Sequence, residues 1–464
     1  MRSRILLVAS LAIALGTPCT GQAAALRVTT IEDGADASAA DAICATPPGT
    51  CTLRAAIQTA NAIPGADSIV LPAGTYGLRV GFGGEDAAAG GDLDVAPGDL
   101  TITGTGATTT VIDGRGFDRV FHILAGASLT MSGVTITNGR ATDGFGGGGI
   151  LNAGALNLSD AAVTASRSTT GGGGIFNGGG SATLTNVTLS GNTALSNGGA
   201  LWNFGGQAAL ANATVSGNTA GSTGGAIRND GVGAMVSLTN VTVAGNSSRE
   251  IPGALLNSGG PSGMTITSSI LAGSPEESCS GPVTSGGFNI DTGGSCGFAG
   301  PGDKPGTDPL LGSLAENGGP TQTHALLPGS PALDAADPGA CLPTDQRGVK
   351  RPQGAGCDIG AYELAPPRSF KRTLSLKLSE HLVAQGKIGL AADGPPSCRQ
   401  ARVVVQLKAK KRWKKVGSAL ADAAGAYQLS LRDVPGTYRA VLMQAPAARD
   451  TCLGATSRTR RYKG

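Results

Sequence analysis

The sequence predicts an all-β protein: a right-handed parallel β-helix with a short N-terminal capping helix, followed by a small C-terminal β-sandwich. A unit of about 26 residues recurs through the middle of the chain, and apolar and small polar residues alternate within it at the period of a strand. Glycine supplies 76 of the 464 residues, which suits the tight corners of such a coil. The charge balance reverses near residue 366, which indicates a separate domain after it.

Five asparagines mark the register of the repeat. Each stands at the end of a short phrase that begins with glycine, and successive asparagines are 25, 26, 26 and 28 residues apart. They are Asn152, Asn177, Asn203, Asn229 and Asn257. A single unit cannot bury its apolar side, whereas stacked units place the Ile or Leu two positions before each asparagine in one interior column. The usual hand of parallel connections predicts right-handed coiling.

We interpret the repeated asparagines as structural. Stacked side-chain amides can hydrogen-bond along the rod, and asparagine tolerates a left-handed backbone at a corner. A ligand-binding ladder is the alternative interpretation. Calcium-binding repeats are a further alternative, but no aspartate recurs after the paired glycines.

An open stack of strands exposes its edges, so both ends of the rod need caps. Residues 52–61 predict a short helix, with Thr52 as its N-cap and Leu53 and Ile57 on its apolar face. Residues 326–366 are dense in glycine, proline and cysteine and predict the C-terminal cap.

The N-terminal sequence is typical of a secretory signal. Arg2 and Arg4 precede a short apolar stretch and an Ala-x-Ala cleavage site. The predicted organisation is a signal peptide at 1–25, an N-terminal cap at 26–64, a parallel β-helix at 65–325, a C-terminal cap at 326–366 and a basic β-sandwich at 367–464, whose phrase at 422–427 resembles Ig-like domains.

Eight of the nine cysteines fall into pairs that are close in sequence. The pairs are Cys44 with Cys51, Cys279 with Cys296, Cys341 with Cys357, and Cys398 with Cys452. An even number of cysteines in an exported chain favours disulfides. Zinc binding is the alternative, and the spacing argues against it because no Cys-x-x-Cys occurs and the chain has 3 histidines.

The C-terminal region is strongly basic. Residues 368–464 hold 20 basic and 5 acidic residues, whereas residues 26–367 hold 13 basic and 27 acidic ones. A run of cations surrounds one tryptophan at a predicted hairpin tip, formed by Lys408, Lys410, Lys411, Arg412, Trp413, Lys414 and Lys415. We predict that this run contacts polyanions such as acidic cell-wall polymers, lipid headgroups or extracellular nucleic acid. A solvated basic turn is the simpler interpretation of this run, and docking onto the acidic rod of the same chain is a further alternative.

Two clusters of charged residues are candidates for catalysis. They are Asp113, Arg115, Asp118, Arg119 and His122 in the first coils, and Asp345, Arg347, Arg351, Asp358 and Glu363 in the C-terminal cap. We interpret the first cluster as salt bridges at a corner and the second as internal ion pairs. A lyase or hydrolase needs carboxylates gathered on one face, and we expect the acids of this rod not to gather so. The sequence therefore predicts no catalytic, metal-binding or cofactor-binding residues.

Two terminal motifs resemble those of bacterial surface β-helix proteins. Residues 51–57, Cys-Thr-Leu-Arg-Ala-Ala-Ile, with Ala60-Asn61 after them, resemble the CSLREA-type N-terminal motif. Residues 345–352 and 357–363 resemble the end of the choice-of-anchor Q domain, and the Gly-Gly-Ala-Ile phrase at 224–227 is similar to repeats of polymorphic outer-membrane proteins. The resemblance implies export, a pectin-lyase-like β-helix and display at the cell surface, without an established reaction.

These observations predict a non-enzymatic exported protein, at the cell surface or secreted. We expect an adhesin or scaffold that binds extended polymers or partner proteins, with the basic C-terminal domain contacting acidic cell-wall or extracellular polymers. The alternative is a carbohydrate-active enzyme of the pectin-lyase-like type, either a polysaccharide lyase or a hydrolase. No segment after the signal is long and apolar enough to predict a membrane anchor.

Overall fold

The computed structural model describes residues 23–80, 84, 86–250, 253–260, 263–273, 277–366, 368–391, 395–447 and 450–464. Residues 1–22 of the predicted signal peptide lie outside the described residues. The chain divides into two compact units, residues 1–364 and 365–464. We call the first the rod unit and the second the C-terminal unit.

The rod unit is a parallel β-helix, which confirms the predicted fold class. Each regular coil contributes one strand to each of three faces, and five coils add a two-residue strand to a corner ladder between the second and third faces. The strands of the first face are Ala25–Arg27, Ala66–Val70, Gly98–Thr103, Ala127–Ser132, Ala155–Ser159, Ser181–Thr185, Gln207–Ala211, Met235–Thr239, Met264–Thr267 and Thr284–Gly287.

The second and third faces follow the same parallel order. The strands of the second face are Gly74–Gly77, Thr110–Asp113, Thr135–Thr137, Ala162–Thr164, Thr188–Ser190, Thr214–Ser216, Thr242–Ala244, Ile270–Ala272, Ile290–Asp291 and Lys304–Pro305. Those of the third face are Leu93–Val95, Phe121–Ile123, Ile150–Asn152, Ile175–Gly178, Leu201–Phe204, Ile227–Asp230, Leu255–Asn257 and Cys279–Ser280. The corner ladder consists of Arg140–Ala141, Arg167–Ser168, Thr193–Ala194, Thr219–Ala220 and Ser247–Ser248.

The interior of the rod is the apolar column that the repeat predicts. Ile150, Ile175, Leu201, Ile227 and Leu255 are fully buried and pair in register on consecutive coils. Because side chains alternate along a strand, the residue after each of them faces outward.

The repeated asparagines hydrogen-bond along the rod, as predicted. The Nδ2 atom of each donates to the Oδ1 atom of the next, at distances of 2.6, 2.6, 2.7 and 2.8 Å. A second buried ladder joins Asn192, Asn218 and Asn246. The left-handed backbone belongs to other asparagines at the corner between the first and second faces, namely Asn186, Asn212 and Asn240.

The N-terminal cap contains the predicted helix, Leu53–Ala62, whose N-cap Thr52 accepts a hydrogen bond from the backbone N–H of Ala55. Arg54 is completely buried and pairs with Asp33 at 2.8 Å. Its guanidinium also donates to three backbone carbonyls of the loop at 88–92. The cap and that loop are therefore held together by one arginine. A 3-10 turn, Ala39–Asp41, precedes the helix.

The segment at 326–364 differs from the expected end cap. An antiparallel pair, Leu311–Ala315 and Thr323–Leu326, leads into it. The segment then lies along the second face: Asn212 donates to the carbonyl of Thr344, and the N–H of Ala361 donates to Thr242. Packing on the side of the rod buries Ile270, Ala272 and Ile290, from two consecutive coils of the second face, in one apolar cluster with this segment.

The C-terminal unit consists of antiparallel sheets arranged like a sandwich around a core that includes Val403, Val405, Tyr427 and Tyr438. Its strands are Ser369–Phe370, Arg372–Leu374, Lys377–Ser379, Val383–Leu390, Arg402–Ala409, Arg412–Leu420, Ala426–Ser430, Gly436–Leu442, Ala445–Ala447, Asp450–Cys452, Ala455–Thr456 and Arg460–Tyr462. Two 3-10 turns, Glu380–Leu382 and Pro396–Cys398, connect them.

All four predicted cysteine pairs are disulfides in the structure. Three lie in the rod unit, and Cys398–Cys452 lies in the C-terminal unit. Such a set of disulfides is consistent with an extracellular protein. Among the described residues, we find no helix whose length and apolar character would let it cross a bilayer.

Candidate functional sites

The third face carries one continuous row of outward side chains, which we call the outer column. Strand pairing aligns one residue per coil on this row. The outer column consists of Asp94, His122, Leu151, Phe176, Trp202, Arg228 and Leu256. Adjacent strands lie about 4.8 Å apart, so the column runs parallel to the rod axis at that spacing.

The middle of the outer column is aromatic. The ring centroids of Phe176 and Trp202 are 5.0 Å apart, edge to face, and Phe204 lies 5.8 Å from Trp202. Phe204 is exposed, and the other two rings are half-buried. The indole packs directly on the backbone at Gly171, where a Cβ would come within 2.0 Å of it. A glycine in the preceding run is thus what allows Trp202 to lie flat against the rod.

Arg228 closes the aromatic stretch. Its guanidinium lies 5.8 Å from the Trp202 ring centroid. It donates to Asn197 at 2.7 Å, to Thr223 at 2.8 Å and to Asp230 at 2.7 Å. These bonds hold the guanidinium in one place, and Asp230 neutralises its charge.

An acidic cleft of about 530 Å³ lies at the other end of the outer column, next to Leu151. Phe117 and Phe145 stand exposed at its rim. We define the acidic cleft by its charged residues: Asp86, Asp92, Asp94, Asp118, Arg119, His122 and Asp143. They come from the loop before the first third-face strand, from the first two third-face strands and from the turns that lead into the second and third of these strands.

His122 sits between two carboxylates. Its Nδ1 atom lies 3.2 Å from Asp94, which is completely buried, and 3.4 Å from Asp86, which is exposed. Asp94 is held by a hydrogen bond from the backbone N–H of Ala88. The three residues offer one ligand atom each within 4.8 Å of one another. Imidazole and carboxylate ligands suit divalent transition metals, so this group could hold such a cation.

Two carboxyl groups of the acidic cleft are set to bind protons unusually tightly. Burial, and then the neighbouring charge of Asp94, raise the pKa of Asp92 to about 7, although Arg119 lies 3.5 Å away. Burial also raises the pKa of Asp118 above its usual range. Arg119 forms an ion pair with Asp143 on its other side. A protonated and an ionised carboxyl can therefore coexist here near neutral pH.

The gathering of these acids corrects one expectation. The first charged cluster is split by the fold: Asp118, Arg119 and His122 enter the acidic cleft, whereas Asp113 and Arg115 lie at the corner of the second face. The predicted salt bridges form at Arg119, which pairs with Asp92 and Asp143, and the predicted corner is found at Asp113, which accepts from the backbone N–H of Arg115 and from Asn138. Acids do gather on one outer face, because an irregular loop supplies Asp86 and Asp92, which no alignment of repeats could place.

The second charged cluster forms internal ion pairs, as predicted. Arg347 pairs with Asp345 at 2.6 Å, and Arg351 pairs with Glu363 at 3.5 Å with both side chains fully buried. Burial raises the pKa of Asp358 to about 6. The cluster ties the turns of the segment at 326–364 to one another.

The basic run of the C-terminal unit is divided by its sheet. Trp413 pairs with Lys408, and Lys415 pairs with Gln406, so these side chains share the outer surface. The neighbouring strands add Arg439, opposite Gln406, and Arg461, opposite Thr437. We call the resulting set the basic face: Lys408, Trp413, Lys415, Arg439 and Arg461.

The other predicted residues lie elsewhere on this hairpin. Arg412 and Lys414 pair with Ala409 and Leu407, on the side of the sheet that carries the core. Lys410 and Lys411 form the two-residue turn. Arg439 was missed because it is 26 residues beyond Trp413 and reaches it only through strand pairing. Its guanidinium stacks 4.2 Å above the Trp413 ring and donates to Gln406 at 2.8 Å.

The fold thus defines the chain as a parallel β-helix protein with an appended antiparallel β-domain. Comparison with protein-family models, curated proteins and solved structures finds no match. The resemblance to choice-of-anchor Q proteins therefore stays a prediction, and function must be argued from the surfaces themselves.

Proposed function

We propose that the protein is an exported, non-enzymatic adhesin or scaffold that binds an extended acidic polysaccharide through the basic face of its C-terminal unit. The four disulfides support an oxidising, extracytoplasmic location. The observation that carries the proposal is the arrangement of Lys408, Lys415, Arg439 and Arg461 on four adjacent strands and one surface.

The contact between Trp413 and Arg439 indicates which class of polyanion suits the basic face. Proteins that bind single-stranded nucleic acid offer open aromatic rings on which bases stack. Here the Arg439 guanidinium already covers the Trp413 ring and presents further N–H donors beside it. Planar guanidinium groups and exposed ammonium groups suit the carboxylates of an acidic polysaccharide.

The test uses the full chain and polygalacturonate as the probe. The triple variant Lys408→Gln, Lys415→Gln, Arg461→Gln removes three charges from the basic face. The control Lys371→Gln, Lys377→Gln, Lys387→Gln removes three exposed charges from other parts of the same unit. We expect the first to weaken binding at least about tenfold and the control to weaken it little. Equal losses in both variants would show attraction to net charge only and would contradict a defined site.

A second candidate function, glycoside hydrolysis, is favoured by the acidic cleft. Hydrolases of this type need one carboxyl that stays protonated to act as the acid and one ionised carboxylate. Asp92, with its pKa raised to about 7, meets the first need, and the exposed Asp86 can meet the second. Release of reducing ends from a panel of polysaccharides tests this function. Activity abolished by Asp92→Asn, but not by Asp99→Asn on the exposed first face, would replace the non-enzymatic proposal.

A further inference from the structure

We propose that the outer column is a binding site for an uncharged polysaccharide chain laid along the rod axis. The column belongs to the rod unit, shares no residue with the basic face and takes a different class of ligand. Binding at the outer column can therefore be tested independently of binding at the basic face.

The shape of the site matches an extended ligand. Phe176 and Trp202 occupy successive coils, with the exposed Phe204 beside Trp202 and the buried Leu151 on the coil before, so accessible rings repeat at the strand spacing. The C–H faces of sugar rings are apolar and can pack on such rings, which gain free energy by losing contact with water. A chain of several sugars can thus touch consecutive coils, whereas a compact ligand would cover one.

Polar groups flank the apolar stretch where hydroxyl groups of a sugar need partners. At one end, Asn197, Thr223 and Asp230 surround the Arg228 guanidinium. At the other end lie the carboxylates of the acidic cleft, with Asp86 exposed. Carboxylates accept hydrogen bonds from hydroxyl groups, and a guanidinium donates to them.

The charges of the outer column select an uncharged polymer. Asp230 already neutralises Arg228, the cation beside the aromatic rings. The acidic cleft holds Asp86, Asp118 and Asp143 close to the path of the chain. A polymer that carries carboxylates or sulfates would be repelled by the acidic cleft. It would also find Arg228 already paired with Asp230.

The test is native electrophoresis of the full chain through gels that contain hydroxyethyl cellulose, xylan, galactomannan or polygalacturonate. We expect at least one neutral polymer to retard the protein. Trp202→Ala should weaken that retardation at least about tenfold, as expected for an aromatic hot spot. Met235→Ala, which removes an exposed apolar side chain from the first face, is the matched control and should have no effect.

Gly171→Ala gives an independent variant that leaves Trp202 in the sequence. Its Cβ would collide with the indole and displace it, so retardation by the neutral polymer should fall as well. A thermal melt of each variant confirms that the rod stays folded. Three results would overturn the inference: no neutral polymer retards the wild-type chain, Trp202→Ala and Met235→Ala behave alike, or Trp202→Ala weakens retardation by polygalacturonate as much as by the neutral polymer.

Discussion

At the scale of single residues, buried amides keep the coils in register. Asn203 donates to Asn229 and accepts from Asn177, and it is completely buried. A slip of one coil by one residue would leave such amides without partners in the core, which is costly. The ladder therefore specifies the stacking as well as stabilising it.

We predict that Asn203→Ala lowers the free energy of unfolding of the rod by about 1 to 3 kcal/mol, because it leaves the buried Oδ1 atom of Asn229 without its donor and removes one acceptor of the Asn177 amide. Asn157→Ala, on the exposed side of the first face, is the control and should cost under about 0.5 kcal/mol. Urea unfolding can be followed by Trp202 fluorescence in a Trp413→Phe background, since the chain has 2 tryptophans. Equal effects of the two alanines would contradict a structural ladder.

The raised pKa of Asp92 predicts that the free energy of unfolding of the rod depends on pH. Its pKa is raised from 3.8 to about 7 in the folded chain, so the folded state binds this proton more tightly than the unfolded state does. The resulting stabilisation is complete below the unfolded pKa and is lost as pH rises towards 7. Over that interval the wild type should lose on the order of 4 kcal/mol relative to Asp92→Asn, at about 1.4 kcal/mol per pKa unit. Parallel stability curves of the two proteins between pH 4 and pH 8 would contradict this assignment.

The features at the scale of single residues differ in how well the sequence predicts them. The asparagine ladder follows from spacing alone. The outer column was not predicted, although the sequence contains a signal for it. Each of its residues from Leu151 to Leu256 directly precedes a repeated asparagine. Aligning those positions identifies the aromatic stretch. Asp86 and Asp92 carry no such signal, since their loop has no counterpart in later coils.

At the scale of elements, the segment at 326–364 acts as a strap along the second face. Gln346 is completely buried and bonds to side chains of two coils: its Nε2 donates to Thr188 at 2.9 Å, and its Oε1 accepts from Thr214 at 2.6 Å. These contacts join residues 158 and 132 positions apart. Motif spacing identified a distinct segment, but it could not show which surface the segment covers, because such contacts depend on tertiary packing.

We predict that Gln346→Ala lowers the stability of the rod by roughly 2 kcal/mol, because Thr188 and Thr214 lose their buried partner. Gln353→Ala, whose side chain bonds only locally to the carbonyl of Lys350, is the control. Hydrogen exchange of the second-face strands should accelerate in the first variant and stay unchanged in the second. Unchanged protection in both would mean that the strap does not stabilise the coils beneath it.

At the scale of the whole molecule, the chain combines two units, a parallel β-helix and an antiparallel β-domain. The boundary near residue 365 was predicted from the reversal of charge, and the structure divides the chain at the same place. The parallel rod was predicted from its period, and the antiparallel sheets from their alternation and turns. The grouping of charges into one basic face was not predicted, because Arg439 and Arg461 reach that face only when the strands pair.

The most direct test of the adhesin proposal is the salt dependence of polygalacturonate binding by the full chain. Binding through the basic face releases counterions, so affinity should fall at least about tenfold between roughly 50 and 200 mM NaCl. The fall should be shallower for Lys408→Gln, Lys415→Gln, Arg461→Gln and unchanged for Lys371→Gln, Lys377→Gln, Lys387→Gln. An affinity that does not depend on salt, or a slope that the two triple variants alter equally, would contradict the assignment of the basic face as the polymer-binding surface.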